Sequence, residues 1–242
     1  MSETLPPEIQ ALQTSLASQG VKYALASFAD IHGMCKAKSV PLAHLGQMMA
    51  GSELFTGAAL DGVPQEVSDD EVAAHPDPDS ATILPWNSTV AWFASDLYLG
   101  DKPFAACSRG ILKQVLAEAA AMGFTLNLGI ETEFFILKEA ADGKVTAVSD
   151  RDILAKPAYD VQTLLDNYEW VTEIVEAMNQ LGWDVYSFDH EDGNGQFETD
   201  FGYCDALKMA DRLVFFRLMA KEIARKHGFF ATFMPKPFAN MT

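Results

Sequence analysis

Cysteine is scarce. Cys35, Cys107 and Cys204 stand far apart in a chain of 242 residues. That excludes a disulfide framework or a zinc knuckle as the organising principle. No apolar run reaches about 18 residues, so no membrane-spanning helix is expected. The N-terminus, Met1-Ser-Glu-Thr-Leu-Pro-Pro7, lacks a basic stretch with an apolar one behind it, so no signal peptide is expected. Basic residues are few as well: 17 Lys and Arg against 34 Asp and Glu leave a net charge of −17. A surface of that sign does not attract a phosphate backbone. With 49% hydrophobic and 21% charged residues, the composition is globular rather than disordered, collagenous or coiled-coil. The expectation is an acidic cytoplasmic protein with no nucleic-acid or membrane partner.

The charge is unevenly placed. Residues 39–101 contain no Lys or Arg and ten Asp or Glu; residues 157–207 contain none and twelve. Such windows are either solvated surface or carboxylates gathered on cations.

Periodicity outlines two parts. Residues 6–19 read as an amphipathic helix with Ile9, Leu12, Leu16 and Ala17 on one side, ended by Gly20. Strands follow at 22–30 and 35–40 around an Asp30-Ile-His-Gly33 turn, then a short helix at 42–50. Residues 56–79, rich in Gly, Pro and Asp, read as a long loop. Strands resume at 82–85 and 89–99, and Asp101-Lys-Pro103 marks a boundary. A helix at 108–122 leads into one strand at 124–138 and a hairpin near Asp142-Gly143. Asp160 is the expected N-cap of one long helix to Leu181, with Leu164, Tyr168, Val171, Val175, Met178 and Leu181 as its stripe. Strands at 183–191 and 196–201 flank an Asp192-Gly-Asn-Gly195 turn. A second long helix covers 204–227, and a strand begins at 229. Trp92, Trp170 and Trp183 read as core.

Carboxylates share faces within this pattern. On the strand at 124–138 the apolar residues take the even positions, so Glu131 and Glu133 point together to the other face, about 7 Å apart. Phe135 continues that face, placing the pair in partly buried surroundings where unpaired carboxylates are costly. A hard divalent cation removes that cost, since it takes oxygen ligands; a solvent-exposed sheet face is the alternative. In Asp189-His-Glu-Asp-Gly-Asn-Gly-Gln-Phe-Glu198 the glycine-rich turn brings Glu191 and Glu198 toward each other, with Gln196 on the face of Glu198. His190 and Asp192 flank the pair.

Three ordered motifs now carry a resemblance. Ile130-Glu-Thr-Glu-Phe-Phe135 resembles the E-x-E-F-F metal strand of the glutamine synthetase family. His190-Glu-x4-Gln-Phe-Glu198 resembles that family's second carboxylate pair, and Phe230-Ala-Thr-Phe-Met-Pro-Lys-Pro237 its following strand. The wording around Asp189 is similar to type III glutamine synthetases and the related γ-glutamylmethylamide synthetases. The resemblance implies an α+β fold. A small β-grasp-like N-terminal domain (1–101) would precede the first part of an antiparallel-sheet-plus-helices catalytic domain (102–242).

It also implies chemistry. Glu133, Glu191 and Glu198 match ligands of one Mg²⁺ or Mn²⁺ ion, and Glu131 a ligand of a second. ATP phosphorylates the γ-carboxylate of glutamate, and ammonia or methylamine displaces the phosphate. Tyr203 falls where the family places an aromatic near adenine. Asp61, in Leu-Asp-Gly-Val, falls in the latch loop whose aspartate binds and deprotonates the ammonium of a neighbouring subunit, although the usual wording there is F-D-G-S-S. Tyr186 replaces a nucleotide-contacting glutamate of many relatives and inherits no role; Lys236 is read as supporting its strand. The family's rings imply a homo-oligomer for the intact protein. Its Gly-rich segment, histidine ligand and phosphate-binding arginines have no counterpart in these residues. The expectation is therefore a fragment or truncated product of a glutamate–amine ligase. A non-catalytic assembly partner is the alternative of another class.

Overall fold

A computed structural model describes residues 5–239 and 241–242. The chain divides into two units, Met1–Leu126 with Asp205–Val214, and Asn127–Cys204 with Phe215–Thr242. Both mix helices and sheets.

The first unit opens with α1 (Pro7–Ser18), whose proline at the first turn costs no hydrogen bond. Next come β1 (Tyr23–Ala29), β2 (Cys35–Pro41), α2 (Leu45–Met49) and β3 (Glu53–Phe55). They are followed by β4 (Val72–Pro76), β5 (Thr82–Leu84), β6 (Asn87–Leu99), β7 (Lys102–Pro103) and α3 (Ser108–Ala121). The sheet order is β2-β1-β6-β4-β3, with β1 parallel to β6. One face of β1 and β6 contributes Ala24, Ala26, Phe28, Ala91, Phe93 and Leu97 to a core closed by Leu16, Leu45 and Met48. On α3, Arg109 donates to Asp77, Asp96 and Asp211 at 2.7, 2.8 and 3.0 Å.

In the second unit β8 (Asn127–Leu128), β9 (Thr132–Glu139) and β10 (Val145–Ala147) precede α4 (Val161–Asp166) and α5 (Tyr168–Gln180). Then follow β11 (Val185–His190), β12 (Gln196–Phe201), β13 (Cys204–Asp205), α6 (Ala206–Lys226) and β14 (Phe230–Thr232), of which Asp205–Val214 belong to the first unit. The main sheet runs β10-β9-β12-β11, with β14 also on β9. Its apolar face packs Phe134 against Phe216 and Phe197 against Trp170, ring centroids 5.4 and 4.7 Å apart.

Three expected elements differ. The loop at 56–79 contains β4, which alternates in burial and pairs with β6. Its Ala-Ala-His-Pro wording has little strand propensity of its own, so the neighbouring strand decides it. The strand expected at 124–138 is interrupted between β8 and β9. Phe124 instead completes the end of α3: its N–H reaches Ala119 O while Gly123 N–H, at φ +85°, reaches Ala120 O. That is a Schellman closure. The helix expected at 160–181 is two helices. Asp160 caps the first, accepting from Thr163 N at 2.8 Å. Buried Asn167 separates them, its amide donating to Thr163 O and accepting from Trp170 Nε1. The buried stripe of α5 is consequently Trp170, Val171, Ile174, Ala177 and Met178, and Tyr168 is exposed.

Candidate metal centre

Strand register builds the site. Glu133 on β9 stands opposite Glu198 on β12, and Glu198 opposite Asp189 on β11. Directly opposed residues share a face with Cβ atoms about 5 Å apart. One residue along, Phe134, Phe197 and His190 form the matching row on the other face. The period-two rule thus separates a carboxylate row from a buried one, two phenylalanines and a histidine, across three strands.

Glu191 enters from the end of β11. Its N–H donates to Gln196 O at 2.9 Å, closing the turn. Asp189, Glu191 and Glu198 each offer a carboxylate oxygen within 4.8 Å of the others. Glu133 is held by Gln196, whose Nε2 donates to it at 2.5 Å while its Oε1 accepts from Gly193 N at 2.9 Å. Glu131 lies just before β9 and is exposed, close enough for its charge to act on Glu133.

The electrostatics are one-sided. Burial, a hydrogen bond with Glu191 and the charges of Asp200, Glu191 and Glu133 push the Glu198 carboxyl up to about 8. Burial and then Glu191 and Glu131 raise Glu133. Burial, Glu191 and Asp200 raise Asp189 against a smaller opposing pull from His190. Asp200 Oδ1 is itself buried, with no hydrogen-bond partner among the described residues. Opposed like charges destabilise a sheet. An all-oxygen donor set under this repulsion fits a hard divalent cation, which replaces shared protons as the counter-charge.

The remaining expected residues sit elsewhere. Tyr203 follows β12 and is 74% exposed. Asp61 belongs to the first unit, where its Oδ2 lies 2.6 Å from His32 Nε2. That contact lowers Asp61 and raises His32. Two residues of the second unit escaped sequence reasoning. Asp189 was legible in principle, two positions before Glu191, but its place beside Glu198 depends on register. Asp152 gave no signal. It is buried and accepts from His190 Nε2 at 2.8 Å, Asn194 Nδ2 at 2.7 Å and Gly195 N at 2.5 Å. Burial opposes ionisation there, yet these bonds hold its carboxyl below the usual range.

The family model described as "Glutamine synthetase, catalytic domain" matches residues 105–242. A glutamine synthetase of Rhizobium meliloti (strain 1021) is 42% identical over 96% of this chain and 52% of its own length. A glutamate–methylamine ligase of Methyloversatilis universalis is 37% identical over 94% of this chain and 52% of its own. A solved structure of a GmaS/ADP complex superposes with a TM-score of 0.91 at 40% identity, over 96% of this chain and 53% of that one. The chain spans about half the length of the curated relatives it matches.

Proposed function

This chain belongs to the glutamine synthetase family, and we propose that its protein is an ATP-dependent ligase that makes a γ-glutamyl amide from glutamate and ammonia. The γ-carboxylate of glutamate takes the terminal phosphoryl group of ATP, leaving ADP. Ammonia then attacks the acyl carbon, loses a proton, and inorganic phosphate departs. The observation that carries this reading is the carboxylate row of Glu133, Glu198 and Asp189 with Glu191 beside it. In this reading Glu133, Glu191 and Glu198 hold one ion and Glu131 contributes to a second, Mg²⁺ or Mn²⁺. Bound there, the ions neutralise phosphate oxygens and allow two anions to approach.

Asp61 is the residue we assign to receiving the ammonium proton, supplied by a neighbouring copy in a ring of subunits. Its lowered carboxyl, held ionised by His32, supports holding the ammonium cation, although the same shift makes it a weaker proton acceptor. Tyr203 is assigned to the adenine, its exposed ring being free to stack. Residues 1–101 are taken as a β-grasp-like domain and 102–242 as part of the catalytic domain, a division supported by the family match starting at 105. We place the protein in the cytoplasm, in keeping with three free thiols.

Methylamine is the second amine to consider, because a methylamine ligase and a GmaS structure are among the relatives at 37% and 40% identity. The test is ADP release by the full-length protein with glutamate, Mg²⁺ and either ammonium or methylamine. Release with one amine assigns the substrate; release with neither overturns the ligase reading. Tyr203→Ala is expected to raise KM for ATP with little change in KM for glutamate.

A further inference from the structure

The segment between β10 and α4 lies across the hairpin that joins β11 to β12. Asn194 donates to Leu154 O at 3.2 Å as well as to Asp152, and Tyr159 N–H donates to His190 O at 2.8 Å. Tyr159 holds φ +65°, a conformation a non-glycine side chain adopts only when its surroundings impose it. Asp152 anchors this strap. Its two oxygens collect donors from both ends of the turn: His190 on the incoming strand, Asn194 and Gly195 at the outgoing side.

We propose that Asp152 is a positioning residue for the metal centre. By fixing His190, Asn194 and Gly195 it sets the hairpin that presents Glu191 and, through Gln196, Glu133. This rests on the cation-binding reading above.

The geometry argues for more than stability. The side chains of Asp152 and His190 are wholly buried, and a buried hydrogen bond contributes only modest net stability. What it supplies is direction. His190 lies between Asp189 and Glu191 in sequence and points to the opposite face. Holding its ring therefore fixes the rotation of the strand end, and with it the aim of both neighbours. At the far end of the turn, Gly195 N–H is pinned one residue before Gln196, which carries the bond to Glu133. Groups that orient ligands in this way typically change metal affinity by about 10–100-fold when altered.

The test compares the wild-type chain with Asp152→Asn and Glu191→Gln, singly and together. Mn²⁺ binding is read by electron paramagnetic resonance, and amide exchange is read at 193–196. An asparagine keeps the shape but turns an NH₂ toward a hydrogen-bond donor, so the hairpin loosens without loss of the core. The expected result is about 10–100-fold weaker Mn²⁺ binding by D152N, faster exchange at Gly195, and a smaller further loss when D152N is added to E191Q, because only the route through Gln196 to Glu133 then remains. Should D152N fail to fold, Asn194→Ala removes one donor only and is expected to weaken Mn²⁺ in the same direction by less. Unchanged Mn²⁺ affinity in folded D152N, or in N194A where D152N does not fold, overturns the positioning role. So does an equal loss in the E191Q background. A wild-type chain that binds no Mn²⁺ overturns the cation reading itself and the positioning role with it.

Discussion

Glu133 and Glu198 face each other across adjacent antiparallel strands, carboxylate opposite carboxylate. Sharing a proton or holding a cation relieves the repulsion of such a pair. Which of the two applies depends on pH and metal, and both are under experimental control.

Without metal, stability should fall as pH rises from about 4.5 to about 8. Glu198 is ordinarily half-protonated near 4.5 and is pushed up to about 8 in the fold. Across that window the native state keeps a proton that the unfolded chain has released, so deprotonation favours unfolding. Added Mn²⁺ should flatten or reverse the slope, because the cation takes the place of the proton. Thermal denaturation in EDTA and in Mn²⁺ over this pH range checks both. A rise in stability with pH in EDTA attributable to Glu198 would contradict the assignment.

Neighbouring positions on β12 should respond in opposite directions. Glu198→Gln relieves repulsion and is expected to raise Tm in EDTA at pH 8, while removing most of the stabilisation by Mn²⁺. Phe197→Ala empties the other face, where the ring is 1% exposed and packs on Trp170. Its expected cost is about 3–5 kcal/mol, measured by urea denaturation with and without metal.

Two glycines in the left-handed region should differ. Gly195 has φ +79°, and an added Cβ would meet the backbone oxygen of Ile136 at 2.9 Å. Gly123 has φ +85° with nothing within 4 Å. Gly123→Ala is expected to cost about 1–2 kcal/mol for conformation alone, and Gly195→Ala more than that. Urea midpoints of the two variants make the comparison.

His32 should titrate above its usual value, because the hydrogen bond and charge of Asp61 favour the imidazolium. The pair then contributes stability fully below about pH 6.5, and the contribution disappears as pH rises through the raised value. Asp61→Asn should bring the His32 midpoint back down. Histidine ring resonances followed by NMR in both proteins provide the measurement.

Much of the site was legible because its signals are local. A turn with two glycines returns Glu198 toward Glu191, whereas Glu131, expected on one strand with Glu133, lies just before β9. The N-cap at Asp160 is equally local, a carboxylate three residues before the N–H it accepts. The breaks were less legible. Asn167 looks like any polar residue on a helix until its amide is seen exchanging hydrogen bonds with Thr163 and Trp170. Phe124 alternates correctly with Leu126 and Leu128, yet the glycine before it commits its N–H to α3.

The amino-acid sequence by itself determined the acidic character, the strand and helix periods, the turn at 192–195 and the nearness of Glu191 to Glu198 across it. Each of these follows from residue type and spacing within a few positions. Only the tertiary structure decided that Glu133, Glu198 and Asp189 form one row, because register is a property of strands paired across 63 residues of chain for Gln196 and Glu133 alone. It also decided that Asp152, 38 residues before His190, braces the hairpin. A buried carboxylate finds its donors in three dimensions, and no spacing along the chain records them.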